Sequence, residues 1–214
     1  MFFKKVIDFI FPPVCGICGK PIKNNTNTCL NCLSILQYDT GRIMKGHGRD
    51  AYDLVLSLYS YQGMIKKQLL NFKFHQQKYV KYSLAELMAK RIQALSIKFD
   101  IIIPVPISQK RFYERGFNQS LEIAKELARI VGKPVSKQVL IKTKNNFKQS
   151  KLKKYQRKKN VEGVYQIRYH SRIQNKVILL IDDIVTTGAT VSECAKVLKE
   201  NGAQKVIVIT IAYA

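Results

Sequence analysis

With 214 residues, 46% of them hydrophobic, the chain is long enough to bury the core of one medium domain beside a small module, and its composition is that of a folded protein. Its formal net charge of +23, from 37 basic against 14 acidic residues, points to a polyanionic partner, nucleic acid before an acidic membrane surface. Compositional drift toward lysine in an AT-rich genome is the bland source of the same excess. No apolar run approaches the roughly 20 residues of a membrane span, so none is expected.

The first 14 residues hold two lysines and an apolar stretch, but Asp8 interrupts it and Pro12-Pro13 ends it. A cysteine pair then follows where the small-residue cleavage site of a signal peptide would lie. A short helix with Phe3, Ile7 and Ile10 on one side, docked on its own protein, is expected instead, and with it cytoplasmic residence. Contact of Phe2, Phe3 and the neighbouring lysines with a membrane surface is the other reading.

Cys15-x-x-Cys18 and Cys29-x-x-Cys32 come next, with ten residues between the pairs. Each x-x spacing lets a tight turn present two sulfurs to one ion, so the four thiolates suit a single tetrahedral zinc. Two disulfides disagree with a reducing compartment, and a redox motif needs one pair rather than two. Four cysteines leave no open position for water or substrate, so this zinc is structural. A module of about 25 residues cannot bury enough surface to fold alone, and the metal would supply the stability. Residues 1–45 are therefore expected to form an N-terminal helix and zinc-binding module, and residues 46–214 the main domain.

The stretch from Gly41 to Asp50 reads as a linker. Leu54 to Tyr61 is a strand candidate, residues 63–72 and about 79–95 carry helical periods, and Asp100 to Pro106 begins as a buried strand that two prolines stop. A helix from Gln119 to Val131 ends at Gly132. The segment from Lys142 to Asn160 has no clear period and is dense in Lys, Arg, Gln and Asn, as a loop or arm would be. Val177 to Val185 is a buried strand, Ala189 to Asn201 a helix with Cys194 on its core face, and Lys205 to Ala212 the last strand. The alternation predicts an α/β fold: a mainly parallel sheet flanked by helices.

Chemistry concentrates where the strand of residues 177–185 ends. Asp182 and Asp183 can accept hydrogen bonds from vicinal sugar hydroxyls. Thr186, Thr187, Gly188, Ala189 and Thr190 then form a small hydroxyl-bearing loop running into a helix N-terminus, which suits a phosphate. The order of hydrophobics, two acids and Thr-Thr-Gly-x-Thr resembles the phosphoribosyl pyrophosphate motif of type I phosphoribosyltransferases. A second strand end, Pro104-Val105-Pro106, is followed by Lys110, Arg111 and Arg115-Gly116-Phe117-Asn118-Gln119. In a doubly wound sheet two such ends can flank one crevice, with the basic groups neutralising a pyrophosphate.

These strings together resemble the ComF family, a phosphoribosyltransferase-like branch associated with DNA uptake in natural transformation. The resemblance also rests on Phe11-Pro12-Pro13 with the four cysteines, on Leu70-Asn71-Phe72-Lys73-Phe74, and on Gln149, Arg157 and Asn160. It implies the type I phosphoribosyltransferase fold and a cytosolic factor acting on incoming single-stranded DNA, with helicase-like and DNA-loading proteins as partners. It also implies that Asp182, Asp183, the 186–190 loop and Arg115 hold phosphoribosyl pyrophosphate with Mg²⁺. In the basic segment, Lys148, Lys151, Lys153, Lys154, Arg157, Lys158 and Lys159 would track DNA phosphates while Phe147 and Tyr155 stack on bases. The same segment could instead be the loop that folds over substrate, and the two roles are compatible. The alternative function is an active transferase moving phosphoribosyl to a nitrogen base or amine through an oxocarbenium-like state. No acceptor pocket and no catalytic residue is evident in the sequence.

Overall fold

The computed structural model describes residues 12–22, 26–37, 39, 41–46, 51–74, 77, 79–143 and 162–214. The expected N-terminal helix and the DNA-contact candidates from Phe147 to Lys159 lie outside the described residues. In chain order the elements are helix α1 (Leu30–Leu36), strands β1 (Arg42–Lys45) and β2 (Leu54–Ser60), helices α2 (Gly63–Phe74) and α3 (Val80–Ala94), and strand β3 (Ile101–Pro104). Helices α4 (Gln109–Arg115) and α5 (Gln119–Val131) follow, then strands β4 (Leu140–Lys142), β5 (Tyr165–Ile167) and β6 (Val177–Val185), helix α6 (Ala189–Glu200) and strand β7 (Lys205–Tyr213).

β6 opens with the apolar run 177–181 and β7 is apolar apart from Lys205 and Thr210, and such strands need cover on both faces, which a parallel sheet with crossover helices provides. The main sheet has the order β1-β2-β7-β6-β3, with β2, β7, β6 and β3 parallel and only the edge strand β1 antiparallel. Alternate residues divide between two cores. Leu56, Leu58, Ile102, Leu179, Ile181, Ile209 and Ile211 face a core shared with α2, α3 and α5. Val55, Ile101, Ile103, Ile178, Leu180, Val206 and Val208 face a second core with Val191, Cys194, Ala195 and Leu198 of α6. The lone Cys194 is thus a fully buried core residue, as its helical register predicts.

β6 lies between β3, which precedes it in the chain, and β7, which follows it. The helix that follows β3 across α4 packs on one face of the sheet and the helix after β6 on the other. The crevice between the carboxyl ends of β3 and β6 is therefore a topological switch point, where open α/β sheets bind ligands.

Three differences from the sequence reading have local causes. The expected linker of residues 41–50 contains β1, whose outward Arg42 and Lys45 made it read as polar, yet whose backbone pairs with Leu54–Ser57 of β2. Charged residues are common on such edges. α4 was not anticipated because it buries none of its residues and so shows no apolar period. The short hairpin of β4 and β5, in which Leu140 opposes Ile167 and Lys142 opposes Tyr165, is too brief for a pattern to emerge.

The four-cysteine segment is built onto α3. Gly16 donates its N–H to Ser83 Oγ at 3.1 Å and to the Asn27 carbonyl at 3.0 Å, and the Ser83 hydroxyl donates in turn to that same carbonyl. Glu86, one turn further along α3, accepts from the Asn27 N–H at 3.1 Å and from its side-chain amide at 3.3 Å. Cys15, Ile17, Cys32 and Leu36 are buried in the same core as Val80, Leu84 and Met88. Lys81 ties α3 onward to α5 through Glu122 and Glu126, each at 3.2 Å.

A Cβ at position 16 would overlap the side chain of Ser83 and press on the backbone of Val80. Gly16→Ala is therefore expected to destabilise the chain by about 1–3 kcal/mol, the usual cost of overpacking a tight contact. The check is a lowered thermal or urea midpoint. An unchanged midpoint would show that this segment does not depend on its seat on α3.

Candidate functional site

A cavity of about 490 Å³ opens at the switch point. Its wall combines Asp182, Asp183, Thr186 and Thr190 from the end of β6 with Val105, Pro106 and Ile107 from the end of β3. Arg111 and Arg115 of α4, Gln119 and Ser120 of α5, Lys73 of α2, Lys142 and Tyr165 of the hairpin, and Tyr61 complete it. Thr187, Gly188 and Ala189 line a smaller hollow of about 30 Å³ that shares Asp182, Ile184, Thr186 and Thr190 with the larger one. Asp182, Asp183, residues 186–190, Arg111, Arg115 and Gln119 thus sit around two adjoining hollows, whereas Lys110, Gly116, Phe117 and Asn118 are not among the lining residues.

The two acids are held differently. Asp182 accepts from the Ser120 hydroxyl at 3.0 Å and from the Asp183 N–H at 2.9 Å, both through Oδ1. Asp183 pairs with the ammonium of Lys73. Burial, and then the adjacent Asp183 carboxylate, push Asp182 up to about 7, while its own hydrogen bonds and Lys73 oppose the rise. Opposite the acids stand cations from separate elements. Burial, then Arg111, brings the Lys142 ammonium down to about 8, and the same two causes in the same order lower Arg115. These cations crowd one another, which an anionic guest would relieve.

The Arg115 to Gln119 string has a duty at each position. Arg115 donates to Gln119 Oε1 at 3.0 Å and lies over the ring of Phe74, which aims it along the cavity wall. Gly116 ends α4 with φ 77°, the left-handed C-cap that glycine adopts without cost. Phe117 is buried against Phe72, with ring centroids 5.3 Å apart. Asn118 caps α5 by accepting from the Leu121 N–H at 3.4 Å, and its amide donates to the Val105 carbonyl at 3.0 Å, locking the β3 end to the helix start.

Beyond β6 the chain turns through Gly188, which has φ 74°, and enters α6. Thr187 Oγ1 accepts from the Ala189 N–H at 3.5 Å, leaving the Thr186 and Thr190 side chains on the cavity wall. The first turn of α6 has no acidic side chain of its own, and Ala189, Thr190 and Val191 from it line the hollow.

Sequence reasoning missed Lys142, Tyr165, Tyr61 and Ser120 as site residues and assigned Lys73 no role beyond its place in a recognisable string. Each stands on a different element, and only the fold brings them to one place. Their single shared signal is position at an element end facing the switch point.

Away from this cavity, the ligand atoms of Cys15, Cys18, Cys29 and Cys32 all lie within 4.8 Å of one another, a cluster able to hold a metal ion. The Cys18 and Cys29 sulfurs are 3.8 Å apart, far beyond a disulfide bond. The backbone N–H groups of Ile17 and Cys29 point at Cys15 Sγ, at 3.4 and 3.3 Å, and that of Cys32 points at Cys29 Sγ at 3.4 Å. Burial raises Cys15, but the N–H groups of Cys29, Cys18 and Ile17 outweigh it and bring the thiol to about 7.

The phosphoribosyl transferase domain family matches residues 73–214. Competence protein F of Haemophilus influenzae is 26% identical over 209 residues, covering 94% of this chain and 85% of that protein. DNA utilization protein YhgH of Salmonella typhimurium is 26% identical over 202 residues, covering 90% and 87%. Competence protein ComFC of Bacillus subtilis is 32% identical over 192 residues, covering 88% and 72%.

The Asp182 value generates a pH dependence. A carboxyl ordinarily near 3.9 that titrates at about 7 in the folded chain binds its proton more tightly when folded. Its stabilising contribution is therefore complete below about pH 4 and is lost as the pH rises through about 7. Asp182→Asn, which keeps an acceptor for Ser120, should flatten the fall in melting temperature between about pH 5 and pH 8 by several degrees. Parallel melting curves for the two proteins would remove Asp182 as the titrating group.

Proposed function

The chain belongs to the ComF family of phosphoribosyltransferase-like proteins, and on that premise we propose that its switch-point cavity binds phosphoribosyl pyrophosphate in a cytoplasmic factor that handles incoming single-stranded DNA during natural transformation. The observation that carries the ligand assignment is the convergence of three chemistries on one cavity: an acidic pair, a hydroxyl-bearing loop at a helix start, and cations from α2, α4 and the hairpin. The acids suit the ribose hydroxyls, the 186–190 loop the 5-phosphate, and Arg111, Arg115 and Lys142 the pyrophosphate. Lys73, ion-paired to Asp183, must exchange partners or share them when the ribose enters.

Magnesium enters with the pyrophosphate in this reading. Both carboxylates already have protein partners, so the ion would take phosphate oxygens and water, as Mg²⁺ usually does. The competence and DNA-utilization names of the relatives support the DNA assignment, as does the net charge of +23. DNA-loading and helicase-like proteins are the partners this reading implies, and the basic segment from Phe147 to Lys159 is its first DNA-contact candidate.

The metal proposed for the four cysteines is zinc. Tetrahedral zinc with Zn–S bonds of about 2.3 Å sets sulfur–sulfur edges of about 3.8 Å, the spacing found between Cys18 and Cys29. The four ligands leave no open position, so the metal's work is to fold the segment. Chelation of the native protein should release one zinc per chain and lower the melting temperature. A metal-free protein with unaltered melting would discard the assignment.

Calorimetry with phosphoribosyl pyrophosphate and Mg²⁺ tests the cavity. Asp183→Ala combined with Thr187→Ala should weaken binding at least tenfold while leaving single-stranded DNA affinity largely unchanged, and equal affinities would take the ligand out of the cavity. Pyrophosphate release measured with candidate bases, amines and single-stranded DNA then separates the two functions. Binding without turnover fits the DNA factor, whereas acceptor-dependent turnover makes the chain a phosphoribosyltransferase.

A further inference from the structure

We infer that the outward face of α4, with Phe112 and Tyr113, and the neighbouring Phe74 form a stacking platform for single-stranded nucleic acid at the mouth of the cavity. This rests on the reading that the chain handles single-stranded DNA, and it adds a contact surface separate from the segment of residues 147–159.

α4 presents two opposed faces. Arg111 and Arg115, one turn apart, line the cavity. Tyr113 stands on the opposite side and Phe112 on the flank, as a 100° step per residue requires. No residue of this helix is buried, so the core asks for no apolar side chain here. Yet Tyr113 is 75% exposed and Phe112 48%, and their rings meet edge to face with centroids 6.5 Å apart. Gln109 Nε2 donates to the Tyr113 hydroxyl at 3.4 Å and steadies that ring from one turn away. Phe74 is 61% exposed and joins the same neighbourhood, because the Arg115 guanidinium lies 5.5 Å from its ring centroid.

A single exposed aromatic is ordinary. Two large rings in contact on one helix, with Phe74 exposed beside Arg115 and none of the three packed in a core, leave the question of what covers them, and charge answers it. α4 carries Lys110, Arg111 and Arg115 against Glu114 alone, and the cavity behind it adds Lys142, while Lys73 there is paired with Asp183. A second copy of the same chain would bring like charge to like charge, a poor match at +23 per chain. A strand with a phosphate at every step and a flat base between phosphates matches both features at once, since aromatic faces accept any base while the cations follow the backbone. The strand would cross the mouth of the phosphoribosyl pyrophosphate site, bringing the two proposed ligands into adjacent space.

Anisotropy titration of the full chain with a fluorescent oligo(dT) at several salt concentrations tests this. Phe112→Ala and Tyr113→Ala should each weaken binding roughly tenfold, within the range for loss of one stacked base. Tyr113→Phe should retain affinity, and the slope of log affinity against log salt should stay the same in all three variants, because no charge is removed. Affinity for phosphoribosyl pyrophosphate should not change, since neither ring lines the cavity. If both alanine variants bind oligo(dT) as the unaltered chain does, the platform is overturned while the DNA reading survives. No oligo(dT) binding by the unaltered chain would end both. Unaltered oligo(dT) affinity with a shift from dimer to monomer in sedimentation would make the rings a contact between two copies, and would also overturn the platform.

Discussion

Two adjacent carboxylates near the end of a mostly buried strand are an electrostatic problem that the surrounding fold must solve. β6 carries Asp182 and Asp183 into a crevice where burial, and then the Asp183 carboxylate, raise the cost of ionising Asp182. The compensation comes from far along the chain. Ser120 reaches Asp182 from α5, and Lys73 reaches Asp183 from α2. The Arg111, Arg115 and Lys142 side chains stand further out. A site of this kind cannot be assembled by one segment, so β3, β6, α2, α4, α5 and the hairpin have to be held in register before the pocket exists.

That register depends on apolar contacts just behind the charges. Phe72 and Phe117 pack together, and each is one residue or two from a group that faces the cavity: Phe72 from Lys73, Phe117 from Arg115. The ring pair therefore fixes the distance between the partner of Asp183 and the cation of α4. Asn118 fastens the other side by capping α5 and holding the Val105 carbonyl. The cysteine segment braces the opposite face of α3, which Lys81 in turn ties to α5. A metal at the four cysteines would thus reach the crevice through packing alone, by stiffening α3 and, through it, the helix α5 that carries Gln119 and Ser120.

How much of this was legible in the sequence follows from how local each signal is. The parallel sheet announced itself in the apolar runs of β6 and β7, and the helix of residues 119–131 in its Gly132 cap. The four cysteines needed only their spacing, and the structure brings their ligand atoms together. The acidic pair and the threonine loop were legible because one strand–loop–helix unit holds them. Lys142 and Tyr165 were not, because their meaning depends on a three-residue hairpin pairing across a long insertion. α4 was invisible for a different reason: a helix that buries nothing has no apolar period to detect. β1 was hidden by Arg42 and Lys45, whose charges suit an exposed edge and disguise the strand beneath.

Two of the elements that escaped sequence reasoning, α4 and the hairpin, hold the cavity cations Arg111, Arg115 and Lys142. Strands and helices of the core are specified by burial, which leaves a periodic trace, whereas α4 and the hairpin are specified by where they end. α4 starts on the Ser108 cap, which accepts from the Arg111 N–H at 3.3 Å, and stops at the left-handed Gly116, so its seven residues can only turn Arg111 and Arg115 together toward one side. The same geometry turns Tyr113 away from the cavity and leaves Phe112 on the flank. A cation face and an aromatic face on one short helix are consequences of a single register, and any segment that fixes the first fixes the second. The cavity's demand for guanidinium groups thus leaves the sequence free to choose the opposite face, and it has placed rings there where a soluble surface alone would call for polar side chains.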